Sequence, residues 1–244
     1  MKGERTRAGI LDRAVDLASL EGLEGVTIGR LADELSMSKS GLFAHFGSKE
    51  ELQLATVQAA RDRFVDEVVR PALGTPRGYE RLIAICRSWL DYVRRQVFPG
   101  GCFFAAASFE FDGRPGVVRD AIAAAMDDWM ATLEKAIRMA REEKHLDSKI
   151  DPPQLAFELN ALFFGANFAW NLRHDAKAFA RAQRAIEERL EGVRVVAGAS
   201  EGPGGAGGAR KDATRVTRRP GSLAHARGKV KSSARAPRAR RRNA

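Results

Sequence analysis

The chain is 244 residues long, 44% apolar and 30% charged, which suits a folded protein with a sizeable core in one domain or two. Its net charge of +10 is concentrated at one end: from Gly198 onward 13 Lys/Arg face 2 Asp/Glu, leaving 28 basic and 29 acidic residues in the remainder. The high isoelectric point therefore says nothing about the folded part. The start, MKGERTRAGI, is charged with no apolar core behind it, so no signal peptide is expected. No run approaches the roughly 18 apolar residues of a membrane span. Cys86 and Cys102 lack CxxC or metal-ligand spacing, as in a reducing compartment. The expectation is a soluble, cytoplasmic protein with no membrane contact.

Residues 6–20 carry Ile10, Leu11, Ala14, Val15 and Ala18 at helical spacing, and Gly22 and Gly25 end that helix. Thr27 is placed as the N-cap of a second helix with Ile28, Leu31, Ala32 and Leu35 on one side. Ser36-Met37-Ser38 breaks the pattern, and a short amphipathic segment follows with Leu42 and Phe46 on one face. Its opposite face holds Ser38, Lys39, Ser40, Gly41 and Ala44, small or hydrogen-bonding side chains with one cation. A helix needs such a surface to enter a major groove rather than a core. Ser48 and Glu51 form a capping box that starts a new helix. Lys49 stands in its first turn, where the macrodipole favours an acid, so an outside anion such as phosphate explains it better.

This stretch resembles the helix-turn-helix of the TetR/AcrR repressors. Ser38, Leu42-Phe43-Ala44-His45-Phe46 and Lys49-Glu50-Glu51-Leu52 reproduce the family's Ser, Leu-aromatic-x-His-Phe and Lys-Glu-x-Leu pattern at the same spacing. Phe43 stands where the family usually has a tyrosine that hydrogen-bonds a backbone phosphate, so that contact is expected to be missing. Gly41 stands where threonine or alanine is common, which leaves the base-reading surface unusually bare. Lys39, Ser40, Gly41 and Ala44 are candidates for base edges, Thr27, His45 and Lys49 for phosphates, and Ser38 is a further DNA-binding candidate. The alternative for His45 is a partly buried packing histidine. Arg5 and Arg7 lie near the start of the first helix as further cations.

From Lys49 a long helix with Leu52, Val57, Ala60, Phe64 and Val68 reaches about Arg70, where Pro71 is expected to stop it. The resemblance implies that this helix joins the head to a regulatory body. Helical patterns then recur over 77–97, over the apolar Cys102–Phe111 stretch, and from Val117 to about Lys144. Asp151 is predicted as the N-cap of the next helix, with Pro152 at its first position. That helix is apolar nearly all round, so it needs cover on two sides, and a second subunit is the simplest second cover. The last helix runs from about Lys177 to Val196. The resemblance implies that the last two helices pair with their symmetry mates in a homodimer. After Ala197 the composition turns to Gly, Ala, Pro, Ser, Arg and Lys, read as a disordered basic tail able to bind DNA without sequence preference.

The fold class expected is all-α: a three-helix head at 1–50, a ligand-binding and dimerisation body at 51–197, and the tail at 198–244. Trp89, Tyr92, Phe103, Phe104, Met126, Trp129, Phe163 and Phe164 are candidates to line a pocket for a lipophilic or aromatic effector, with plain core as the alternative. Asn160, Asn167 and His174, spaced by seven, need partners, either a ligand or each other across the dimer. Cys102 reads as a buried thiol rather than a redox sensor. His45, His145, His174 and His225 show no metal-ligand spacing, and no phosphate-cradling glycine loop sits between a strand and a helix. No enzyme activity, metal or cofactor is expected. The function read from these features is a homodimeric transcriptional repressor on a palindromic operator in double-stranded DNA, released by a small molecule. The alternative is a non-specific nucleoid-associated protein driven by the tail.

Overall fold

In the computed structural model, which describes residues 2–195, the helical periods of the sequence become ten α-helices and one π-helical turn. The stretch 198–244, expected to be a disordered tail, lies outside the described residues. Among the described residues no helix is long and apolar enough to cross a membrane, and no cluster of His, Cys, Asp and Glu could hold a metal.

α1 (Lys2–Glu21), α2 (Ile28–Leu35) and α3 (Lys39–Phe46) form the head. α1 starts earlier than the expected residue 6, with Glu4 in its first turn favouring the helix dipole. Each short helix is bounded by local chemistry. Thr27 Oγ1 accepts from Arg30 N at 3.1 Å, and Ser36, in the left-handed region at φ 52°, ends α2. Ser38 Oγ accepts from Gly41 N at 3.1 Å, and Gly47 ends α3 at φ 70°. Ser48 Oγ accepts from Glu51 N at 3.0 Å and opens α4 (Lys49–Phe64). The head closes over Ile10, Ala14, Val15, Leu17, Leu31, Leu42, Phe46 and Leu52, all buried.

α4 does not end at Pro71 as the sequence suggests. It passes through a π turn, Val65–Val69, into a short α5 (Arg70–Ala72), so Pro71 lies inside the helical path. In a regular α-helix the proline ring would meet the carbonyl four residues back. The wider turn ahead of it, in which the Arg70 N–H reaches the Val65 carbonyl, relieves that clash.

The body comprises α6 (Tyr79–Arg94), α7 (Phe103–Phe111), α8 (Val117–Glu142), α9 (Pro152–Arg173) and α10 (Ala178–Glu191). Gly78, at φ 97°, precedes α6, and His145 Nδ1 accepts the Tyr79 N–H at 3.2 Å. A Cβ on Gly78 would stand 2.2 Å from that nitrogen, so the close approach requires glycine. Asp151 holds the N-cap position of α9 in an extended conformation, but its carboxylate makes no capping hydrogen bond. α10 ends well before the expected Val196. Beyond Gly192 the chain turns to pair with the α8–α9 loop, with Asp147 N donating to Val193 O at 2.9 Å and Val195 N to His145 O at 3.0 Å.

Three connections fasten head to body. Glu110, near the end of α7, accepts from the Leu23 and Glu24 N–H groups of the α1–α2 turn at 2.7 and 3.0 Å. Gly100 N donates to Ser19 Oγ at 3.0 Å. The third connection is α4 itself, whose Phe64 stands edge-on to Tyr92, Phe104 and Trp129, with ring centroids 5.4, 5.9 and 5.1 Å away. Trp89 stacks on Phe163 at 4.6 Å within the same group. Phe64→Ala removes the ring that this cluster shares, and the unfolding free energy should fall by about 3–5 kcal/mol in a denaturant titration. A loss under 1 kcal/mol, about that of an exposed position, would refute this assignment.

Candidate nucleic-acid interface and ligand cavity

α3 is anchored by its two buried side chains, Leu42 and Phe46. That fixes its other face outward: Lys39, Ser40, Phe43 and Ala44 are exposed, and Gly41 is half-buried beside the Ser38 cap. Ser40 Oγ lies 3.3 Å from Ser38 Oγ. A Cβ on Gly41 would stand 3.0 Å from Ser38 Oγ, so a larger residue there would press on the cap. The expected base-edge candidates therefore share one accessible surface with Ser38. Phe43 joins them at 56% exposure. The sequence marks it as a missing tyrosine contact, whereas the structure makes it part of the outward face. The signal for it was its place one residue past the buried Leu42, about 100° round the helix from the packed face.

The phosphate candidates are placed less uniformly. Thr27 is occupied as the α2 cap. His45 is half-buried, its ring 6.2 Å from that of Phe46. Lys49 is hydrogen-bonded to Glu24, so an internal anion accounts for a lysine at that helix start without a phosphate. The Lys49 ammonium, with Gln53 behind it, holds the Glu24 carboxyl below its ordinary pKa. Arg7 lies over the Phe46 ring, 5.0 Å from its centroid. Arg30 is bound to Glu21 and Glu34 and serves the joint between α1 and α2.

A cavity of about 330 Å³ opens between α4, the π turn, α6, α7, α8 and α9. Of the expected lining residues, Trp89, Phe104, Met126, Trp129 and Phe164 are in its wall. Tyr92, Phe103 and Phe163 are not, because they are packed wholly into the core behind it. Asn160 and Asn167 are also absent from the wall. Asn160 Oδ1 accepts the Trp129 Nε1–H at 3.0 Å, and Asn167 Oδ1 accepts from Cys102 N and Asn171 Nδ2, both at 2.8 Å. Their partners lie within the chain, in place of the ligand or symmetry mate expected, and His174 is the left-handed cap of α9.

Sequence reasoning missed Arg61, Phe64, Val65, Val69, Cys102, Ala125, Asp128, Ala131, Thr132 and Lys135 in the wall. Val65 and Val69 belong to the π turn, whose extra residue turns positions toward the cavity that a regular period does not, and Phe64 is the last residue before it. The thiols are inert by position. Burial pushes Cys86 up to about 12, and burial also raises Cys102, whose Sγ caps α7 by accepting from Ala105 N at 3.4 Å.

An exposed second helix in a capped helix-turn-helix, carried on a helix that continues into an all-α body, defines a helix-turn-helix DNA-binding protein. Residues 10–56 match the bacterial regulatory proteins of the tetR family, and residues 78–186 match the tetracyclin repressor-like C-terminal domain. The chain belongs to the TetR family of transcriptional regulators, which are not enzymes. It is 26% identical over 196 residues to the HTH-type transcriptional regulator TcmR of Streptomyces glaucescens, covering 79% of this chain and 84% of that protein. Its fold is similar to that of a TetR transcriptional regulator from Chloroflexus aurantiacus, with a TM-score of 0.75 and 23% identity over 80% of this chain and 99% of the other. It is also similar to AibR, solved with isovaleryl coenzyme A and operator DNA, with a TM-score of 0.59 and 24% identity over 75% and 97% of the two chains.

Both thiols should resist a disulfide reagent such as DTNB in the folded protein, and both should react once denaturant is added. Rapid labelling of one thiol in native buffer would show that Cys102 is reached through the cavity and would remove the case for its inertness.

Proposed function

We propose that this regulator is a homodimeric repressor that grips a palindromic operator through α3 and leaves it when a small molecule enters the aromatic cavity. In this reading residues 1–50 bind DNA and residues 51–197 bind the effector and the second subunit. One observation carries the release step: Arg61, Phe64, Val65 and Val69 line the cavity, and all belong to the helix that starts beneath the head at Lys49 or to its π turn. A guest that spreads this wall moves the helix on which the head rides. α7 gives a second path, since Cys102 and Phe104 face the cavity at one end and Glu110 holds the α1–α2 turn at the other. Two tethered heads bind only while their spacing fits successive major grooves, so a small tilt is enough for release.

The dimer is supported by α9. Phe157, Phe168 and Leu172 are 64%, 56% and 68% exposed and share a stripe with Ala161 and Gly165, where an added Cβ would meet nothing within 4 Å. A ridge of large apolar residues around a bare backbone suits close approach of a second copy.

The test is fluorescence anisotropy on the DNA flanking the gene, against an unrelated fragment, at two salt concentrations. Selective binding by the full chain and by a chain ending at Ala197 is expected; binding that never prefers one fragment would overturn the repressor reading. Phe168→Glu should give a monomer in sedimentation and lose operator affinity by about 100-fold or more. Phe43→Tyr should tighten operator and unrelated DNA alike, by roughly fivefold, by adding a phosphate hydrogen bond. Lys49→Ala should leave both affinities and the salt slope nearly unchanged, because Glu24 already holds Lys49. A slope lowered by about 1 would mean that Lys49 leaves Glu24 for a phosphate.

A further inference from the structure

We propose that the cavity takes an anionic aromatic molecule, a flat apolar ring system carrying an acidic group, with the acid held at the rim by Lys135; this rests on the reading of the cavity as the effector site. The inner wall is built from Phe64, Trp89, Phe104 and Trp129, all buried, with Met126 and Phe164 beside them. Flat rings stack on such walls, and about 330 Å³ is the lower end of small-molecule pockets, enough for a small fused ring system.

The polar groups of the wall are almost all engaged within the chain. The Trp129 indole N–H is given to Asn160, and the Cys102 thiol caps α7. The Thr132 hydroxyl donates to the Asp128 carbonyl at 2.8 Å. Arg61 and Asp128 neutralise each other at 2.5 Å. Lys135 is the charged exception: it is exposed at the rim, and no ion pair or hydrogen bond engages it among the described residues. Trp89 adds one neutral donor, an indole N–H with no hydrogen bond among the described residues, while the rim holds two cations against one anion. Such a site favours an apolar body with a negative charge on its outer edge. A cationic guest would have to take Asp128 from Arg61.

The test uses the full chain and three probes of one shape: anthracene-2-carboxylate, its neutral carboxamide, and the cationic 2-(aminomethyl)anthracene. Binding is followed by quenching of tryptophan emission, because Trp89 and Trp129 are in the wall. The carboxylate should bind roughly fivefold or more tightly than the amide, and the amine weakest. Lys135→Met should bring the carboxylate down to the amide while leaving the amide unchanged, and Lys135→Arg should keep the preference. Equal binding of acid and amide, a preference that survives Lys135→Met, or binding of none of the probes overturns the proposal. Ala125→Phe, which fills the cavity, separates the two readings. If it abolishes binding of probes that show no charge preference, the cavity stands as the site and only the anion assignment fails. If it leaves binding intact, the cavity is not the site and both fail.

Discussion

Phe64 is the constraint on which the rest of the molecule depends. Its helix enters from the head with Leu52, Val57 and Ala60 turned toward the head's own core. At Phe64 the same helix inserts an aromatic ring among Tyr92, Phe104 and Trp129 of the body. An edge-to-face cluster has few alternative arrangements at native packing density, so it sets the rotation of α4 about its axis. The orientation of the head, the shape of the cavity and the direction of the π turn all follow from that rotation. Glu110 adds a second tie of another kind, a carboxylate holding two backbone N–H groups of a turn, with Gly22 opposite at φ 88° leaving room for it.

The head reaches its form by short-range chemistry. Hydroxyl caps at Thr27, Ser38 and Ser48 satisfy the orphan N–H groups of three successive helices, and two buried side chains are enough to seat α3. With its inner face so economical, the remainder of α3 is free to carry a surface unrelated to folding. That surface is small, nearly uncharged and carries one exposed ring, Phe43, a combination suited to contact with thymine methyls and sugars as much as to hydrogen bonding.

This division explains what was legible in the sequence. Caps and turn act within a few residues of one another: α2 and α4 start where Thr27 and Ser48 place them, and α3 starts directly after the Ser36-Met37-Ser38 break, where the structure adds Ser38 as a third cap. The body was legible as helices but not as a cavity. Trp89 and Tyr92 lie three residues apart on one helix, yet the first lines the cavity and the second stands behind it, a difference set by neighbours on α7 and α9. Asn160 and Asn167 announced a need for partners but not their identity, because Trp129 and Cys102 come from other elements. Lys135 and Thr132 read as ordinary solvent-facing positions of a long helix. The passage of the helix through Pro71 depends on a π turn, which leaves no periodic mark because its residues, Val65 to Val69, fit a regular helix equally well.

The π turn has a consequence for how sequences of this kind are compared. A regular α-helix advances each residue by about 100°, so one residue gained or lost turns everything beyond it to a new face. A π turn stores one residue more in the same rise and can absorb or release it with the flanking faces kept. A one-residue gap between Val65 and Val69 would therefore leave Phe64 on its cluster and Tyr79 at the start of α6. The same gap a turn earlier would swing Phe64 away from the rings that hold it. Length variation among homologues should be tolerated at this turn and rare just before it, and an alignment should be free to open there.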